Sequence, residues 1–179
     1  GQRFEFYEID PTVVRVASDP AYFSFLTETK AETSFAIGDG RLLLARAESA
    51  RYDLIVLDAF SSDAVPMHLL TREAFEVYLS RLEPDGALLV HISNLHLNLA
   101  PFVAAALRDL GVPALEREDV RTLDQAVESG QYASHWILAS RDASVLAPFA
   151  SDVQWQTPTP ARRAWTDAHA DLVAALLAD

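Results

Sequence analysis

The chain has 179 residues, half of them hydrophobic, and no cysteine. That length suits one domain with a real core, and the missing cysteines exclude disulfides, thiolate nucleophiles and cysteine metal sites, which fits a reducing compartment such as the cytoplasm. Lys and Arg number 14 against 26 Asp and Glu, a net charge of −12. No basic cluster is found, so a nucleic-acid-binding face is not expected; the acidity is read first as solubility and second as attraction for cationic ligands. No apolar run approaches the ~20 residues that span a bilayer, and the start carries no signal-peptide pattern.

Strands and helices alternate along the chain. Residues 3–9 read as a strand. Asp10-Pro11 starts a helix, with Asp as N-cap and Pro at the first helical position; it runs through Val13, Val14 and Ala17 and stops near Asp19-Pro20. Residues 33–37 form a short strand closed by Gly38-Asp39-Gly40, and residues 41–47 a helix. Residues 54–57, four apolar residues with turn signals after them, read as a strand buried on both faces.

Thr71 caps a helix whose apolar positions are Phe75, Tyr78, Leu79 and Leu82, ended by Pro84-Asp-Gly86. Residues 87–92 are another buried strand, with Ser93-Asn94 at its carboxyl end. Residues 99–110 are helical, with Gly111 just past the end. Strands near 114–123 and 135–140 would pair antiparallel if only a hairpin joins them. Residues 152–160 are irregular, and residues 164–177 read as a final helix opened by Trp165-Thr-Asp167, with Thr166 as N-cap. Alternation of this kind predicts a mostly parallel sheet with helices on both faces, in one domain. No repeat or low-complexity tract interrupts it.

In an open α/β sheet, ligands bind beyond the carboxyl ends of the strands. Several carboxylates fall there. Glu8 ends the first strand, where an acid can accept hydrogen bonds from two vicinal ribose hydroxyls; a solvated strand-end carboxylate is the plain alternative. Asp10 is first of all a helix cap. Asp39 lies between glycines that let a ligand approach and can accept from an exocyclic amine, although Gly-Asp-Gly also makes a good turn. Asp58 follows the apolar strand and is expected to be partly desolvated. A carboxylate there can bind an ammonium and take its proton. Asp63 follows across a small-residue loop and can equally cap the next helix. His68, His91 and His96 are read as structural: no pair has the i, i+4 spacing of a zinc site, and no metal is expected. Ser-His-Asp chemistry would need Gly-x-Ser-x-Gly, which is absent.

Taken together, Phe6-Tyr-Glu-Ile-Asp-Pro11, Ile37-Gly-Asp-Gly40, Asp53-Leu-Ile-Val-Leu-Asp-Ala-Phe-Ser-Ser-Asp63, Leu69-Leu-Thr-Arg-Glu-Ala-Phe75 and Leu82-Glu-Pro-Asp-Gly86 resemble the spermidine synthase family. The likeness runs over nearly the whole chain, and is greatest to bacterial spermidine synthase-like proteins, some fused behind a membrane transporter-like region; the Trp165-Thr-Asp167 tail is similar to that subgroup. The resemblance implies the Rossmann-like class I methyltransferase fold, a mostly parallel sheet with an antiparallel C-terminal hairpin. It implies transfer of an aminopropyl group from decarboxylated S-adenosylmethionine to a diamine such as putrescine. Asp58 would be the catalytic acid–base group. Glu8, Ile9, Gly38, Asp39, Gly40 and Ala59 would hold the nucleoside, and Asp63 the amine. Homo-oligomers and, for the transporter-fused subgroup, a membrane tether upstream are implied as well.

The chain departs from the family pattern in three places. Typical members have Asp-Ser-Ser-Asp, whereas Asp58 and Asp63 stand five apart with Ala59-Phe60 between. Gly130-Gln-Tyr-Ala-Ser134 matches the family's Tyr-Pro-Ser-Gly-like segment poorly, which leaves Tyr132 without an assigned role. The family's first strand, its glycine-rich loop and its amino-terminal polyamine-binding hairpin have no counterpart, so a trimmed domain lacking full activity is expected. A methyltransferase using S-adenosylmethionine, and a non-catalytic nucleoside-binding domain, are the competing readings.

Overall fold

The computed structural model describes residues 1–48, 51–59, 66–94 and 96–176. Two compact units emerge, Gly1–Ala47 and Glu48–Asp179.

The smaller unit is a β-α-β arrangement. Strand β1 (Arg3–Glu8) is followed by α1 (Pro11–Ala17) and a single turn, α2 (Phe25–Glu28); β2 (Glu32–Ile37) then pairs parallel with β1, and α3 (Gly40–Leu44) follows. The caps form as their residue types dictate. The Asp10 carboxylate accepts from the Thr12 N–H at 2.7 Å and Pro11 opens α1; Asp39 accepts from Leu42 N–H at 2.9 Å and starts α3, each satisfying an orphan donor of the first turn.

The larger unit holds a four-stranded sheet of order β3-β4-β6-β5: β3 (Tyr52–Leu57), β4 (Leu82–His91), β5 (Ala114–Asp119) and β6 (Ser134–Ser140). β3 and β4 run parallel, joined through α4 (Arg72–Arg81); β6 pairs antiparallel with both β4 and β5. The expected α/β class, parallel pairing and antiparallel C-terminal pair are all present. Strand side chains alternate, so Leu88, Val90, Ile137 and Ala139 share one face and are fully enclosed. Helix α5 (Ala100–Asp109) buries Ala100 and the run from Phe102 to Leu107, and packs on α4, β5 and β6. On the other face Leu115 and Leu138 meet Leu146 of α7 (Ala143–Ala150), with Ala87, Leu89 and Trp155 around them.

Four expectations are corrected. β3 is not buried on both faces: Ile55 is buried, but Leu54 and Val56 are 50% and 51% exposed. Their strand is at the margin of its sheet, while α7 lies over β4, β5 and β6. β5 stops at Asp119 instead of reaching residue 123. Thr122 and Gln125 form a reciprocal capping box there and start α6 (Leu123–Ser129), so a helix joins β5 to β6. β4 begins at Leu82, with its register to β3 broken between Tyr52 and Leu54, where Pro84-Asp-Gly86 bulges.

The fourth concerns the tail, expected to be helical over residues 164–177: its described part, residues 164–176, forms no α-helix, only turns and a short 3-10 segment, Val173–Ala175. Tertiary contacts override the alanine-rich helical propensity. Trp165 is fully buried and stacks on Phe102 at 4.8 Å; its carbonyl accepts from Arg72 N–H, and Asp167 accepts from the Thr71 hydroxyl at 2.7 Å. Asp167 does sit at a helix start, but that of α4.

Gly86 is required by space: an added Cβ would lie 2.9 Å from the Tyr52 carbonyl oxygen and 3.0 Å from that of Glu83, both backbone atoms. Gly86→Ala is expected to lower stability by about 1–3 kcal/mol, read by urea unfolding. Asp142 caps α7, and its hydrogen bonds from Ser144, the backbone N–H first, lower its pKa below the ordinary aspartate value. A lowered folded-state pKa adds stability above the unfolded value of ~3.9 and loses it as pH falls below. Asp142→Asn is therefore expected to unfold less steeply with acid below ~pH 4, in a pH series of thermal melts.

Candidate functional site

The smaller unit gathers five of the six residues read as nucleoside ligands at one strand edge; the sixth, Ala59, belongs to the larger unit. Glu8 ends β1 opposite Ile37, the last residue of β2, and Gly38 N–H donates to the Glu8 carbonyl at 2.9 Å. Gly38, Asp39 and Gly40 follow at once, so Glu8 and the Gly-Asp-Gly turn share the carboxyl edge of the parallel pair, where such sheets bind ligands. Ile9 is exposed beside them. Part of this polar equipment already has structural work. One Glu8 oxygen accepts from Asp10 N–H at 2.9 Å, and Asp39 caps α3.

Gly38 has φ +142°, a conformation that side chains avoid, and a Cβ there would meet Leu43 at 3.3 Å; a Cβ at Gly40 would meet Tyr7 at an ordinary 3.6 Å. Gly38→Ala is expected to cost about 1–3 kcal/mol, and Gly40→Ala to be nearly neutral, in paired thermal melts.

The larger unit places Asp58 immediately after β3, in the row after the Leu57–Val90 pair and so level with His91 at the end of β4. Asp58 Oδ1 lies 2.7 Å from His91 Nδ1; His91 Nε2 lies 2.7 Å from Ser93 Oγ; and Ser93 Oγ accepts from His135 N–H at 2.8 Å. The His91 ring also stacks on Trp136 of β6, centroids 4.5 Å apart, its partner in the β4–β6 register. The imidazole is held at both nitrogens and on one face. The Asp58 side chain is 55% exposed and that of His91 24%, so Asp58 is a half-exposed carboxylate gripped on one side. Ala59 follows it, exposed. Asp63 lies outside the described residues.

Sequence reasoning placed His91 and Ser93 at this sheet edge but read His91 as structural and gave Ser93 no role. The signal available was their position: both fall at the carboxyl end of the strand next to β3, two positions apart, a spacing that puts both side chains on one face of extended chain. Of the other histidines, His68 lies in a 3-10 turn (Met67–Leu69), and His96 N–H donates to Asn94. Tyr132 is exposed just before β6. Among the described residues no three His, Asp or Glu side chains are grouped to hold a metal, and no helix is long and apolar enough to cross a membrane.

The α/β sheet, with β6 inserted antiparallel between β4 and β5, is similar to the fold of solved spermidine synthases. The fold matches a probable spermidine synthase from Corynebacterium glutamicum ATCC 13032 with a TM-score of 0.63 at 16% identity, covering 94% of this chain and 64% of that one. It matches the spermidine synthase of Thermotoga maritima at 0.53 and 14% identity, over 99% and 58%, and a spermidine synthase in complex with the transition-state analogue AdoDATO at 0.55 and 17%, over 82% and 49%. In sequence the chain is 36% identical, over 86 residues, to the polyamine aminopropyltransferase of Vibrio vulnificus (strain CMCP6). That stretch is 47% of this chain, and the chain spans 27% of the length of that relative. No family model matches the chain. The resemblance to spermidine synthases read from the motifs is thus found again both in a curated relative and in the fold.

Proposed function

We propose that the chain carries the core of an aminopropyltransferase, which moves an aminopropyl group from decarboxylated S-adenosylmethionine to a diamine such as putrescine. The observation that carries the reading is Asp58, a half-exposed carboxylate at a strand's carboxyl end, held through one oxygen by His91. The named activity of the Vibrio relative supports it.

The chemistry asks for such a group. A primary amine, with a pKa near ~10.4 as in lysine, is mostly protonated at neutral pH and cannot attack. Asp58 pairs with the ammonium and takes a proton, which frees the nitrogen lone pair. The nitrogen then bonds to the aminopropyl carbon as the carbon–sulfur bond breaks; the sulfonium leaves as a neutral thioether, the new secondary ammonium keeps its charge, and Asp58 gives the proton it took to solvent. A positioned base of this kind contributes roughly 10²–10⁴ in rate.

In this reading Glu8 accepts from the ribose hydroxyls and Asp39 from the adenine amine. Ile9 packs on the nucleoside, and Gly38, Gly40 and Ala59 let it approach. Asp63 binds the far amine of the acceptor. The net charge of −12 favours arrival of polycations. Cytoplasmic placement and a homo-oligomer go with the same reading.

The test is calorimetric titration with decarboxylated S-adenosylmethionine and, separately, S-adenosylmethionine, followed by putrescine. Preferential binding of the decarboxylated form, with a diamine site appearing afterwards, is expected. Preference for the carboxylated form would make the protein a methyltransferase, and binding of neither would leave a fold kept for other purposes. Asp58→Asn should lower transfer about 10²–10⁴-fold with donor affinity unchanged.

A further inference from the structure

We propose that His91 is a positioning residue of this site, which sets the orientation of Asp58 through a hydrogen-bonded chain running from Asp58 to the backbone of β6. The inference rests on the aminopropyltransferase reading for its kinetics and on the geometry alone for its existence.

Four contacts define the chain. Asp58 Oδ1 and His91 Nδ1 are 2.7 Å apart, His91 Nε2 and Ser93 Oγ 2.7 Å, Ser93 Oγ and the His135 backbone nitrogen 2.8 Å, and Trp136 stacks on the ring at 4.5 Å. The last two partners belong to β6, which β4 holds by its ladder. A main-chain N–H therefore anchors a side-chain series that ends at the carboxylate.

The donors can be assigned from the partners. An ionised Asp58 only accepts, so Nδ1 carries a hydrogen. Ser93 already accepts from His135 N–H, and its own hydrogen can point to Nε2. If the ring becomes an imidazolium, Nε2–H donates instead and the serine oxygen accepts twice, within its two lone pairs. Only the hydroxyl hydrogen has to turn. His91 thus keeps both partners in either protonation state, and its hold on Asp58 survives the proton transfers of turnover. Oδ1 is committed to His91, which assigns Oδ2 to the amine. An exposed carboxylate without this clamp would sample several rotamers, and a displacement of about 1 Å at a reacting group can cost 10²-fold in rate.

The test pairs kinetics with spectroscopy on the full protein. His91→Ala is expected to lower kcat about 10- to 100-fold while KM for the diamine and donor affinity stay within about twofold. His91→Asn, whose amide N–H₂ reaches roughly where Nδ1 stood, should recover kcat to within about fivefold of the unaltered protein. Ser93→Ala, which frees the ring, should fall between. Nitrogen-15 spectra of the imidazoles, with His91 assigned by its loss in His91→Asn, should show a hydrogen on Nδ1 and a shift of that signal in Asp58→Asn.

Unchanged kcat in His91→Ala would overturn the proposal, as would an Asn variant as impaired as the Ala variant. Covalent labelling of Ser93 by an alkyl fluorophosphonate, with aminopropyl transfer untouched in His91→Ala, would overturn it too, by making His91 the base of a serine instead. If the unaltered protein transfers no aminopropyl group, the reading of function fails; a His91 signal that ignores Asp58→Asn removes the clamp, whichever way the kinetics fall.

Discussion

The larger unit is organised by β4, the one strand of its sheet that is paired parallel on one side and antiparallel on the other. Its alternation sends Leu88 and Val90 into the enclosed layer and Leu89 and His91 to the opposite face. Because a strand has a period of two, a slip of one residue would exchange these sets. Burying Leu88 and Val90 and presenting His91 beside Asp58 are therefore one constraint. The break in register at Pro84-Asp-Gly86 lets β4 start against Tyr52 and still bring Leu57 opposite Val90, which sets Asp58 level with His91. The buried Ser140 hydroxyl donates to the Gly86 carbonyl and ties the bulge to the end of β6.

The candidate chemistry depends on rigid surroundings for an exposed group. Asp58 itself is solvent-facing, and an exposed ion pair alone is worth little. What gives its pair with His91 consequence is that the imidazole has no freedom: Ser93 and Trp136 hold it, and both are held by β4 and β6. The same logic recurs at the tail, where Trp165 fills the core beside Phe102 and Asp167 reaches back to Thr71 at the start of α4. In each case a polar side chain is placed by an apolar neighbour locked in the sheet or the helical layer.

In the smaller unit, the proposed nucleoside contacts draw on atoms that also have structural work. Glu8 and Asp39 stand at the carboxyl edge of the β1–β2 pair, and each accepts a hydrogen bond from a nearby backbone N–H through one carboxylate oxygen. A carboxylate has two oxygens and about four acceptor positions, so the local bond orients the group without exhausting it. The cap on α3 fixes Asp39 as the His91 clamp fixes Asp58.

Local chemistry was legible in the sequence wherever a residue acts within a few positions of itself. Asp10-Pro11, Thr71 and Gly38-Asp39-Gly40 behave as their types require, because a cap or a turn is closed by neighbouring backbone. The acids at strand ends were legible as well, since an apolar run that stops at a carboxylate marks a sheet edge. Partnership across the chain was not. That β3 is half exposed, that residues 164–176 form turns with Trp165 buried, and that Asp58, His91 and Ser93 form one hydrogen-bonded series all follow from tertiary packing, strand order and register. Those are settled by which faces bury together, and residues thirty-three positions apart, as Asp58 and His91 are, carry no local trace of that pairing.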